Sequence, residues 1–131
     1  GWNYFMNEFS AAMGIEQIKK QDLLARKRKK IAKRYFEEIH IENKMPFDKN
    51  CSYHLYWLKV KNRDKFIKNM LQNNIQTGIH YQPVHLMSFY KGQHKLPNTE
   101  QAGKEIVSLP MHPNLTDSDV SKVIKFTNKF N

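Results

Sequence analysis

The chain has 131 residues, 40% of them hydrophobic and 12% aromatic, with a formal net charge of +10. That is enough chain for one domain and enough apolar content for a packed core, which excludes global disorder. No run approaches the ~18 uncharged apolar residues of a membrane-spanning helix, so no membrane partner is expected.

The start, Gly1-Trp2-Asn3-Tyr4, has no initiator Met, basic n-region or apolar h-region. It does not read as a signal peptide and reads instead as a cut inside a longer chain. The lone Cys51 excludes an intramolecular disulfide and a four-cysteine zinc site, and it fits a reducing, cytoplasmic setting. The excess positive charge is compatible with nucleic acid, an acidic membrane surface or a small anionic substrate.

Residues 7 to about 40 carry a helical pattern, expected to break near Lys20-Gln21-Asp22. In its second half Leu24, Ile31, Tyr35 and Ile39 recur at spacings of seven and four, which stacks them on one face. Arg26, Lys29, Lys30, Lys33 and Arg34 then fall on the other side. Asp22 is the expected N-cap of this second half, and Pro46 lies beyond its end.

Ser52 to Val60 alternates and is rich in aromatic and β-branched residues, which predicts a strand. Asp64 to about Asn73 returns to helical spacing through Phe66, Ile67, Met70 and Leu71, and Asn73-Asn74 supplies a turn. Ile75 to Tyr81 reads as the next strand, stopped by Pro83. A short helix is expected at His85 to Lys91, closed by Gly92, and another at Glu100 to Ile106. Val107 to Pro110 is a short extended piece. Thr116-Asp117-Ser118-Asp119 caps a last amphipathic helix carrying Val120, Val123, Ile124 and Thr127. The order predicts an α/β fold: long helices followed by a small, mostly antiparallel sheet covered by helices.

The basic helix has two readings. Clustered Lys and Arg neutralise phosphates, but the same cluster is the solvated face opposite an apolar stripe. Glu37 and Glu38 dilute it, and no aromatic residue interrupts it as a base-stacking platform would. The solvated face is the preferred reading, and no nucleic-acid partner is expected.

Gly78-Ile79-His80-Tyr81-Gln82-Pro83-Val84-His85 is more informative. Two histidines and a tyrosine at a strand end can hydrogen-bond hydroxyls or phosphate oxygens. His80 and His85 are five positions apart with no carboxylate near them in sequence, so the helical HExxH metal geometry is absent and no metal is expected. At this level a ligand site and structural histidines both remain open. Cys51 sits in no recognisable nucleophile motif, the G-x-S-x-G elbow is missing, and the five glycines never form GxGxxG or a Walker A loop. No catalytic residue is assigned.

Four segments, taken in order, resemble one family. They are Gly1-x-Asn3-Tyr4-x-Met6 followed by Ala11-Ala12-x-Gly14; Arg28-x-x-Ile31-Ala32-x-x-Tyr35; Gly78-Ile79-His80-Tyr81-x-Pro83-x-His85; and Leu109-Pro110-Met111-His112-Pro113 followed by Leu115-Thr116-x-x-Asp119-Val120. Together they resemble the C-terminal third of the DegT/DnrJ/StrS-type aminotransferases, which use pyridoxal phosphate to aminate keto sugars carried on nucleotide diphosphates. The resemblance implies the C-terminal small domain of a fold type I aminotransferase over residues 1–131, with residues 1–22 as an inter-domain or dimer-contact segment. It implies a cytoplasmic homodimer, glutamate as amino donor and an amino-sugar product for a surface glycan or secondary metabolite.

The resemblance also places the cofactor-binding lysine upstream of the Gly-x-Asn segment, on a large domain. No lysine of this chain sits in a comparable motif, so the chain alone is expected to be inactive. By the same resemblance Asn3 reaches the phosphate of a neighbouring subunit's cofactor, and His80, Tyr81 and His85 border the sugar-nucleotide pocket. Arg28, Ile31, Ala32 and Tyr35 match the helix pattern as structural residues. Phe5 stands where the family usually has arginine, which removes a planar charged donor from phosphate or carboxylate binding. Its loss motivates the alternative of a stand-alone binding or regulatory module that kept the fold without the catalysis.

Overall fold

A computed structural model describes residues 4–90, 92 and 94–130. Helix α1 runs unbroken from Glu8 to Glu38, not as the two helices expected. Lys20, Gln21 and Asp22 include neither glycine nor proline, and an aspartate inside a helix costs only tenths of a kcal/mol. The cap is therefore at Asn7, whose side chain accepts from the Ser10 N–H at 2.8 Å, and Asp22 is an interior helical residue.

Helix α1 ends where Ile39 turns extended and buries its side chain. Asn128 seals that end: its Nδ2 donates to the Glu38 carbonyl at 2.8 Å, and its Oδ1 accepts from the His40 N–H at 2.9 Å. One amide thus satisfies the helix's last carbonyl and the N–H of the second residue beyond it.

Strand β1 (Tyr56–Lys59) pairs antiparallel with β2 (Ile106–Leu109), Tyr56 opposite Leu109 and Lys59 opposite Ile106. The strand expected from Ser52 begins only at Tyr56. Tyr53 adopts a φ of 52°, which breaks the extended path while burying its ring in a stack on Phe47 at 5.8 Å. On the far side of β1, Lys44 makes a single bridge to Leu58.

The strand expected at Ile75–Tyr81 is likewise reduced to one bridge, Gly78 to Ser108, with bonds of 3.0 and 2.7 Å. Its partner offers nothing more: Pro110 has no N–H to extend the ladder at one end, and β2 starts directly after a helix at the other. Both faces of β2 are covered, since Val107, Ser108 and Leu109 are all buried.

Helix α2 (Arg63–Gln72) buries Phe66 and Met70, one turn apart, and packs on β2. Asn74 then turns the chain at a φ of 56°. Of the helix expected at His85–Lys91, the described residues form only a 3-10 turn, Val84–Leu86, and Lys91 lies outside them. Helix α3 (Pro97–Glu105) starts three residues earlier than expected, because Pro97 suits the first helical position, where no N–H is needed. Helix α4 (Asp117–Asn128) follows expectation: Val120, Val123, Ile124 and Thr127 are buried, and Thr116 with Asp119 forms a reciprocal capping box.

The basic side of α1 lies against α4. Lys30 Nζ sits 3.1 Å from Asp117, Arg34 pairs with Glu38 at 2.7 Å, and Arg34 Nη2 donates to Ser121 Oγ at 3.0 Å. Lys33 pairs with Glu37 at 3.7 Å. These exposed pairs are individually weak, but they occupy much of the cluster that the sequence presents as an anion surface.

Replacing Thr116 with alanine is expected to cost about 1 kcal/mol through loss of the cap, read as a lower midpoint in urea unfolding. Acid should act in the same place. The Arg34 guanidinium holds Glu38 below the usual carboxylate range, and Thr116 does so for Asp119. Depressed folded-state values mean that the unfolded chain binds protons first. Stability is therefore fully present above the ordinary carboxylate range and is lost as pH falls through the depressed values. Melting temperature measured from pH 7 to pH 3 should fall at the acid end, and less steeply in Asp119→Asn.

Candidate functional site

The segment after the Gly78 bridge forms an arch over α3, anchored at both feet. At the first foot, the His80 ring lies over Gly78: a Cβ there would stand 2.5 Å from His80 Cε1. At the second, the Pro83 ring packs on Gly103, where a Cβ would meet Pro83 Cγ and Cδ at 2.6 Å. Glycine at 103 is thus a requirement of close approach to the rigid Pro83 ring, whereas a side chain at 78 would have to displace the His80 ring. The 3-10 turn follows at once, closed by the Leu86 N–H to the Pro83 carbonyl at 3.0 Å.

His80 and Tyr81 lie together at the top of the arch. Their rings meet edge to face at 5.0 Å, and the peptide bond between them is cis. Tyr81 is 67% exposed, while His80 Nδ1 is buried without a hydrogen-bond partner. His85 stands apart from this pair. It is only 9% exposed, and its Nε2 faces Glu100 Oε1 at 3.2 Å. Asn3 lies outside the described residues. Phe5 is exposed at the entry to α1.

A cleft of about 450 Å³ runs between the arch and α3, with Arg63, Gln82, Glu100 and Lys104 among its walls. Arg63 is fixed there, its Nη1 donating to the Gly103 carbonyl at 2.5 Å and its Nε to Asp64 at 3.2 Å. Glu100 is held below the usual carboxylate range, first by His85 and then by the Leu96 N–H. Sequence reading missed Glu100 and Gly103. The available signal was Pro97 opening a helix with an acid in its first turn.

The described residues do not by themselves fit a pyridoxal phosphate site. Burial lowers the pKa of Lys44, as a cofactor lysine requires. Its ammonium, however, donates to the Ile39 carbonyl and sits 5.6 Å over the Phe36 ring, so it is committed to closing the end of α1. Among the described residues no three His, Cys, Asp or Glu side chains gather as metal ligands would, and no helix is long and apolar enough to cross a membrane.

The sequence profile of the DegT/DnrJ/EryC1/StrS aminotransferase family matches residues 1–127, and the chain belongs to that family. It is 34% identical over 145 aligned positions to an uncharacterized protein of Methanocaldococcus jannaschii, covering 98% of this chain and 38% of that one. It is 30% identical over 125 positions to a dTDP-4-dehydro-2,3,6-trideoxy-D-glucose 4-aminotransferase of Saccharopolyspora spinosa, covering 89% of this chain and 32% of the relative. Its fold superposes on the aminotransferase TlmJ of Streptoalloteichus hindustanus with a TM-score of 0.87 at 29% identity, covering 95% of this chain and 36% of that structure. The chain therefore spans 32–38% of the length of these three proteins.

Substituting Gly103 with alanine should force Pro83 off α3. The expected loss is about 1–3 kcal/mol, the range for overpacking a close contact, with chemical-shift changes concentrated at residues 79–86 in a ¹⁵N correlation spectrum. Shifts spread evenly over the chain would contradict this anchoring.

Proposed function

We propose that this chain is the C-terminal small domain of a pyridoxal-phosphate-dependent aminotransferase that acts on a keto sugar carried by a nucleotide diphosphate. The observation that carries the reading is the pairing of His80 and Tyr81 on an arch fixed at both ends, with Tyr81 exposed and His80 Nδ1 left without a partner. Imidazole and phenol each donate or accept one hydrogen bond in a defined direction, which suits sugar hydroxyls and phosphate oxygens. An arch pinned at both ends loses little conformational entropy when it meets a ligand, so it positions the sugar at low cost.

Glutamate is proposed as the amino donor and an amino sugar as the product. The cofactor, when bound, supplies the electron sink for moving the amino group. This chain contributes orientation of the acceptor, and the lysine that carries the cofactor belongs to a large domain of the complete protein. The chain by itself is accordingly inactive. Asn3 is assigned to the cofactor phosphate of a neighbouring subunit in a homodimer, and residues 1–22 to the contact between domains or subunits. The exposed Phe9 and Met13, one turn apart on the first half of α1, support that contact, because adjacent apolar side chains on one helix face need cover.

The test is steady-state kinetics on the complete protein carrying His80→Ala and Tyr81→Phe. The expected result is a rise of roughly tenfold or more in KM for the sugar nucleotide, with the glutamate half-reaction unchanged. Unchanged sugar kinetics, or equal loss in both half-reactions, would remove the proposed role.

A further inference from the structure

We propose that Glu100 is the positioning residue of the arch, acting through His85 to hold His80 and Tyr81 in place. The sugar-facing role of His80 and Tyr81, on which the functional meaning rests, is the one proposed above.

One carboxylate oxygen ties two elements together. Glu100 Oε1 accepts from the Leu96 N–H at 3.2 Å, closing the first turn of α3, and lies 3.2 Å from His85 Nε2. An ionised carboxylate only accepts, so His85 donates from Nε2. The pair differs from the surface pairs of this protein. The His85 side chain is 8% exposed and that of Glu100 31%, against 63% and 58% for Lys19 and Glu16. Water replaces a partner readily at the surface. It does not do so for a buried ring nitrogen, whose lost partner leaves an unsatisfied donor.

The consequence reaches Tyr81 through the backbone. Residues 83–87 form one closed unit, with the Leu86 N–H on the Pro83 carbonyl and the Met87 N–H on the Val84 carbonyl, both at 3.0 Å. Where His85 is held, Pro83 is held too. Between Pro83 and the Gly78 bridge lie Ile79, His80, Tyr81 and Gln82, whose N–H groups donate to no backbone carbonyl among the described residues. Their path is set by the two feet of the arch. Glu100 holds the second foot from α3, where Gly103 receives Pro83 three residues further along the same helix.

The test is the ¹⁵N heteronuclear Overhauser effect at each backbone amide of this chain, in the parent and in Glu100→Ala, His85→Leu and Glu100→Gln. This readout reports picosecond to nanosecond order at single residues. His85→Leu removes the pair but leaves the cap on Leu96, so it separates arch positioning from helix capping. In Glu100→Ala and His85→Leu the values at Ile79–Gln82 are expected to drop to roughly half those of the parent, while Gln101–Glu105, β1 and β2 stay unchanged. Glu100→Gln should keep parent values, because its amide oxygen still accepts both hydrogen bonds. An unchanged arch in either of the first two variants would overturn the proposal. So would a loss shared with α3 or the strands, or a failure of Glu100→Gln to restore order. No substrate enters the measurement, so a failure here is distinct from unchanged sugar kinetics in the His80 and Tyr81 variants.

Discussion

The docking of the last turns of α1 onto the sheet is the constraint on which the rest of the structure depends, and Tyr35 makes it. Its ring is fully buried and meets Tyr56 edge to face at 5.2 Å. Its hydroxyl donates to the Pro110 carbonyl at 2.9 Å. Burial pushes the phenol well above its ordinary pKa, so it stays a neutral donor in water near neutral pH. One side chain thus joins α1, β1 and the end of β2, and it satisfies the carbonyl of a proline that ends a ladder. The turn after Pro110 leads into the capping box of α4, and α4 returns through Asn128 to seal α1. The helices and strands close on one another around this residue.

The same arrangement fixes the arch. β2 begins where α3 ends and is clamped by β1 on one side. Its other side receives Gly78, and α3 receives Pro83 and His85. The two feet of the arch therefore rest on consecutive elements of one short stretch, Pro97 to Leu109, whose far end Tyr35 secures. Core packing is transmitted to the His80–Tyr81 loop through close contacts, above all that of Pro83 on Gly103. The first half of α1 is different: it extends past the core with Phe9 86% exposed, and its apolar side chains meet no partner among the described residues.

What the sequence made legible follows from how locally each feature is determined. The α4 cap and its buried stripe were readable because the capping box and helical period lie within a dozen residues. The stripe Ile31, Tyr35 and Ile39 was readable for the same reason. The strand limits were not. Tyr53 breaks β1's extension through a left-handed φ that its composition does not announce, and Ile75–Tyr81 failed as a strand because of Pro110 and α3, both distant in sequence. Of the site, His80 and Tyr81 stood out through a family motif. Glu100, fifteen residues beyond His85, became visible only when the fold brought α3 under the arch. The proposed break at Asp22 shows the converse: a plausible cap residue does not end a helix when the neighbouring residues all favour continuing it.

The division of labour between this chain and a large domain is tested most directly by titrating the chain with pyridoxal phosphate, followed by borohydride reduction and peptide mapping. If the chain supplies only the acceptor side, absorbance should rise without saturating, and label should be scattered over exposed lysines. A saturable band with label trapped on one lysine, such as Lys44, whose pKa burial lowers, would show that this chain holds its own cofactor and would contradict that division.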